Sequence, residues 1–242
     1  MGYWKIFHGF KSYRVIILAV TTPAALEKIM DTEKTFTKFL GKEEREVFAR
    51  LDSPASIQAF LDEIPYSTEE IYRSPRSVLR DRQAHCFDGA LFAAAALRRL
   101  GQPPLIIDML AERDDDHILA LYKRDGLWGA VAKSNFVGLR FREAIYRTLR
   151  ELVLSYFEVY YNLAHEKTLR GYTLPLNLKA FDKYHWLVSD DHLEAIAQRL
   201  DTIRRVSLIT DRIALGLSPV DERSYTAGML GAVEAGLYRP RL

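Results

Sequence analysis

The sequence predicts an α+β fold, and three observations carry the prediction. Apolar residues recur at helical spacing through its early part, three short apolar runs bounded by turn residues follow, and helical spacing then returns. The 242 residues are 48% hydrophobic and 27% charged, which suits one soluble domain able to complete a core unaided. No repeat, low-complexity run or change of composition divides the chain. One domain over 1–242 is expected, with helical parts at 1–64 and 141–242 around a core at 65–140.

Helix boundaries are written in the chain. Thr22-Pro23 is an N-cap and first-turn pair for a helix that stops at Gly41, and Ser53-Pro54 repeats the device for "ASIQAFLDEI". Ser67 with Glu70 is a capping-box pattern for a short helix near Ile71. The next helix runs from Phe87 to Leu100 and is stopped by Gly101. "LIIDML" (105–110), "HILALY" (117–122) and "LWGAVA" (127–132) then read as strands, with Asp125-Gly126 as a hairpin turn. From Arg142 to Leu163, apolar spacings of three and four predict one long helix, and "SDDHLEAIAQRLDTIRRVSLITDRIAL" predicts another. A final helix is expected in "YTAGMLGAVEAGLYRPRL".

Composition also excludes classes of function. The net charge of +2 is far from the basic balance of a dedicated nucleic-acid binder. The apolar run Val15–Val20 is too short to span a bilayer and lacks the longer core and cleavage site of a signal peptide. A single cysteine forms no internal disulfide, which favours a reducing compartment and hence the cytoplasm. The arginines at 140, 142, 147 and 150 are most simply a solvated face, and Tyr156, Phe157, Tyr160 and Tyr161 core or cleft wall.

The chemistry concentrates on Cys86, the one cysteine, where a polar approach turns into the apolar helix. Unpaired N–H groups and the macrodipole at a helix start favour an anion, so a thiolate there is expected to have a lowered pKa. His117 opens the second strand, on a hairpin that can fix an imidazole. A thiol, a base within reach and a group that orients the base are what nucleophilic cysteine chemistry needs. The competing reading is a cysteine that fills space in the core and a histidine satisfied by a backbone carbonyl. A zinc set of His85, Cys86, Asp116 and His117 has the wrong spacing for a structural site, and neither metal nor cofactor is expected.

"HCFDGALFAAAALRRLG" and "DDDHILALYKRDGLWGAVAKS" together resemble the transglutaminase-like core of the papain-type superfamily. The cysteine segment is also similar to that of arylamine N-acetyltransferases. The resemblance covers roughly residues 65–135. It implies a cysteine-bearing helix packed on a small antiparallel sheet, with Cys86 as nucleophile and His117 as base. The aspartate that completes the family triad is absent from "GAVAKSN". A two-residue turn at Asp125-Gly126 would set His117 opposite Ser134, the polar candidate to orient the ring, and Asn135 would have the wrong parity unless the strand ends or bulges first. A four-residue loop would set it opposite Ala132 instead. The Cys86 N–H and the Gln83 amide are candidate oxyanion donors. The expected activity is acyl transfer or amide hydrolysis through a thioester on Cys86. Its substrate would be a peptide, a protein or a small amide or acyl donor, with no nucleic acid or membrane as partner. The alternative is a domain of this fold without catalysis that binds a peptide or protein in the cleft.

Overall fold

Ser53 and Pro54 start a helix as their order predicts: the Ser53 hydroxyl accepts from the Ser56 N–H at 3.1 Å and the proline stands in the first turn. In the computed structural model, which describes residues 38–239, four helices come first. They are α1 (Lys42–Ala49), α2 (Pro54–Glu63), α3 (Pro75–Asp81) and α4 (Cys86–Arg99). The chain then forms β1 (Leu105–Ala111), β2 (His117–Arg124), β3 (Leu127–Val131) and β4 (Arg142–Tyr146). Next come α5 (Leu149–Leu154), β5 (Leu169–Thr173), β6 (Leu176–Asn177) and α6 (Glu194–Thr202). β7 (Arg205–Ser207), α7 (Asp211–Ala214) and α8 (Glu222–Gly228) follow.

The seven strands make one antiparallel sheet in the order β4-β3-β2-β1-β5-β7, with β6 paired to the start of β1. The fold is α+β, with the cysteine-bearing helix against the sheet. Ile106, Ile118, Ala120 and Val131 face α4 and the helices around it. Ile107, Met109, Leu119 and Leu121 face the opposite way and are covered by Leu152, Tyr156 and Tyr160. The predicted hairpin forms with Arg124 opposite Leu127, and positive φ at Asp125 (52°) and Gly126 (81°) marks a type I′ turn.

α4 is apolar nearly all round and buried from Phe87 to Leu97. It ends as Gly101 predicts: with φ at 85°, Gln102 N–H reaches Leu97 O and Gly101 N–H reaches Arg98 O, a Schellman motif. Gly89 lets α4 come close to the end of β3, since a Cβ there would lie 2.2 Å from Lys133 Cβ. Gly89→Ala is therefore expected to destabilise the fold by about 1–3 kcal/mol, although alanine is the better helix former. A lowered urea midpoint checks this; an unchanged or raised one refutes it.

Several elements differ from the expectation. The helix ending at Gly41 and the segment Val15–Val20 fall in or reach into residues outside the described range, and Gly41 itself caps α1. No helix forms at Ile71, because the Ser67 hydroxyl accepts from the buried Arg73 guanidinium and Glu69 pairs with it as well. The helix starts instead at Pro75, capped by Ser74. The single helix expected over 142–163 is β4, then α5 capped by Thr148, then a 3-10 turn at Phe157–Val159. Pairing of Trp128 with Tyr146 and of Ala130 with Arg142 prevails over the apolar spacing there. The late helix is broken into α6 and the short α7, because Arg205–Ser207 between them pairs with β5. The sheet thus draws strands from well beyond residue 140.

Candidate active site

Past the Ala120–Val131 pair, β3 leaves β2. Gln58 of α2 takes over as its partner, donating to Ala132 O (2.9 Å) and accepting from Ala132 N–H (3.1 Å). Lys133 then buries its ammonium on Leu61 O (2.7 Å) and Ile64 O (2.5 Å), which supplies donors to the C-terminal carbonyls of α2. Burial lowers the Lys133 pKa to about 8. A cavity of about 370 Å³ opens beside this divergence and holds Cys86, His117 and Ser134 in its lining.

Cys86 is half-buried at the first turn of α4. Its pKa is not lowered as the helix N-terminus predicts but pushed up to about 12. Burial is the main cause, Asp108 adds to it with lesser effects from Asp115 and Asp88, and the Ile118 N–H hydrogen-bonded to the sulfur acts the other way. Desolvation and negative neighbours outweigh the dipole.

His117 is buried and pairs with Met109 across the sheet, so its side chain leaves β2 on the face opposite the body of α4, and the cavity at this end of the sheet is lined by both its ring and Cys86. Its Nε2 lies 2.8 Å from Leu139 O, in the 3-10 turn Val137–Leu139. A carbonyl only accepts, so Nε2 carries the proton and Nδ1 keeps the lone pair. Burial lowers the ring's pKa to about 4. Thiol and imidazole are both neutral at pH 7.

The residue expected to orient this ring does another job. Ser134 lines the cavity, but its hydroxyl accepts from Phe136 N–H at 3.0 Å and holds the turn after β3. The Leu139 carbonyl is the group hydrogen-bonded to the imidazole. Gln83 is not in the cavity lining; its amide donates to Glu69 at 3.3 Å. The Cys86 N–H instead meets the hydroxyl of Tyr66, which reaches the cavity from a short parallel bridge to Ala84. Burial raises the Tyr66 pKa, so the group is a neutral phenol. His85 turns its ring to Ile71 O (3.0 Å) and Asp88 rather than to the thiol. Among the described residues, no group of three or more His, Cys, Asp or Glu is placed to hold a metal ion. No helix among them is long and apolar enough to cross a membrane.

Sequence reasoning missed three groups at the cavity and considered a fourth in another role. The Leu139 carbonyl has no side-chain signature, and Tyr66 comes close only through the Ala84 bridge. Asn135 lines the cavity in another role than the one considered for it. Asp108 sits mid-strand in an apolar run, where its charge is the one available signal. It is 6% exposed, its Oδ1 has no hydrogen-bond partner among the described residues, and burial, with Asp116 and Asp201 adding, raises its pKa to about 8. Asp114, Asp115, Asp116, Glu194 and Asp201 also line the cavity, and no Lys or Arg does so among the described residues.

No protein-family profile matches the chain. No curated protein matches it either. Among solved structures it is similar to Legionella pneumophila LapG, at 13% identity and a TM-score of 0.38, over 66% of this chain and 95% of that one. An EGTA-treated form of the same protein gives 12%, 0.36 and the same coverage.

Proposed function

We propose that the chain is a cysteine peptidase that cleaves peptide bonds through a thioester on Cys86. The observation that carries the reading is the His117 ring, fixed as its Nε2–H tautomer by Leu139 O inside the cavity that holds the chain's one cysteine. That tautomer leaves Nδ1 as a base, the role an orienting acid or amide secures in a catalytic triad. On substrate binding, the Sγ–H proton passes to Nδ1 as the sulfur bonds to the peptide carbonyl carbon. The C–N bond then breaks, the imidazolium returns the proton to the departing amine, and water hydrolyses the thioester. The Cys86 N–H and the Tyr66 hydroxyl are the donors nearest the developing oxyanion once Tyr66 gives up its bond to that N–H. Because both groups rest neutral, the thiolate forms during attack rather than standing ready as an ion pair.

A second reading, a peptide-binding domain without catalysis, is favoured by the high thiol pKa and by the lack of a carboxylate on the base. The chain's single cysteine separates the two. Native protein incubated with unstructured peptides should produce new amino termini by mass spectrometry, and protein alkylated at Cys86 should produce none. Cleavage that survives alkylation would overturn the peptidase reading, and peptide bound by native protein but never cut would establish the second.

A further inference from the structure

The turn after β3 presents an amide that does for a passing main chain what a neighbouring strand would do. Asn135 Nδ2 donates to Val233 O at 2.9 Å and its Oδ1 accepts from Val233 N–H at 2.8 Å. Both bonds go to the backbone of one residue in extended conformation, so the contact reads main chain and no side chain. Gln58 shows the same pairing with Ala132 within the core. Beyond Val233 the segment enters the Cys86 cavity, where Gly236 and Tyr238 form part of the lining. Gly236 rests against the Tyr66 ring, and a Cβ there would stand 3.0 Å from Cε1, 3.1 Å from Cδ1 and 3.2 Å from Asn135 Nδ2. The segment therefore holds the ring whose hydroxyl occupies the Cys86 N–H.

We propose that Asn135 is the main-chain-binding residue of a peptide subsite in this cavity. Residues 232–238 fill the subsite from within the same chain until a substrate peptide displaces them. The proposal rests on the reading of the cavity as a peptide cleft. It explains the resting state: the segment occupies the cleft while Tyr66 covers the amide that an oxyanion needs. The hold is suited to exchange. Two neutral hydrogen bonds are a modest net hold, because their partners bond to water when free, and an incoming peptide offers the same two. The anchor and the hinge are separate. α8 is fixed by the Tyr161 hydroxyl, which donates to Ser224 O at 3.0 Å, and Gly231, with φ at 74°, turns the chain between α8 and the cavity. Residues past Gly231 can leave while α8 stays.

Val233→Pro removes the N–H that Asn135 accepts from, and Gly236→Val wedges the segment off Tyr66. The probe is the fluorophore-labelled peptide MLGAVEAGLYR, residues 229–239, added to full-length protein carrying Cys86→Ser so that nothing is cleaved. Each substitution alone should tighten Kd, and the two together by about tenfold or more, because the internal competitor no longer fills the site. Adding Asn135→Ala should reverse the gain. With Cys86 intact, the same two substitutions should raise the rate of its alkylation by iodoacetamide several-fold. Equal Kd with and without them, or a gain that survives Asn135→Ala, would overturn the proposal. Two substitutions at separate contacts guard against one acting by misfolding. Tightened binding without cleavage would refute the peptidase reading and leave the subsite standing; cleavage with unchanged binding would do the reverse.

Discussion

Replacing His117 by glutamine is expected to lower kcat on a peptide substrate about 10³-fold, with KM changed little. Glutamine still offers Leu139 O an N–H donor and brings no base, so the fold keeps its hydrogen bond and the reaction loses its proton acceptor. Cys86→Ala should lower kcat at least as far, and the double variant no further, because the two act in one step. The pH profile of the native protein separates a base from a structural histidine. Its acid limb should lie near pH 4, where His117 protonates and can no longer accept the thiol proton. Activity should fall again above about pH 8, as Asp108 ionises and places a negative charge where the thiolate must develop. Asp108→Asn should abolish that upper decline and leave the acid limb in place. A His117→Gln protein within tenfold of native turnover would break the dyad. So would an acid limb near the ordinary histidine value of 6.5.

Local signals with one physical cause were legible in the chain. The Ser53-Pro54 start, the Gly101 stop and the Asp125-Gly126 turn are steric and hydrogen-bonding requirements that a residue type alone declares, and each forms where its residues stand. The order of cysteine helix and histidine strand was legible for the same reason. Signals that depend on competition between partners were not. Residues 142–146 carry helical spacing, yet the open edge of β3 takes them as a strand, which no window on that segment alone can weigh. Ser67 and Glu70 look like a capping box, but Ser67 accepts from Arg73 instead. Within the site the same division holds. Cys86 and His117 stood out as candidates because thiol and imidazole carry their chemistry in the side chain, and both line one cavity. The group bonded to the imidazole is a backbone oxygen, and the expected fall in the Cys86 pKa is reversed chiefly by burial, with Asp108, on a strand that approaches only through the sheet, adding to it.

The segment that carries Tyr66 to the thiol depends on a buried ion network, and its loss should have the largest effect on stability. Arg73 is 2% exposed. Its Nη1 donates to Ser67 Oγ at 3.0 Å and lies 3.7 Å from Asp88 Oδ2, its Nε donates to Asp81 at 3.3 Å, and Glu69 pairs with it as well. Asp88, fully buried at the third position of α4, accepts from the Arg73 N–H at 2.8 Å and from the His85 N–H at 3.4 Å. Arg73→Met leaves that carboxyl without its cation and is expected to cost about 3–5 kcal/mol of unfolding free energy at pH 8. The loss should shrink as the pH is lowered. Burial already raises the Asp88 pKa from an ordinary 3.8 to about 7 despite the guanidinium, so the folded chain keeps a proton that the unfolded chain has lost. Its share of stability therefore falls as pH rises from about 4 through 7. Without Arg73 the pKa climbs further and the decline extends to higher pH, so the deficit of the variant grows between pH 5 and 8. Arg73→Lys keeps a charge but not the fork that serves several acceptors, and should recover only part of the loss. Adding Asp88→Asn to Arg73→Met should recover more at pH 8, because it removes the stranded charge while an amide oxygen still accepts from the backbone. Urea unfolding of the four proteins at pH 5 and pH 8 gives the comparison. An Arg73→Met deficit that is equal at both pH values would show that the cost lies in lost packing and hydrogen bonds rather than in the buried charge of Asp88.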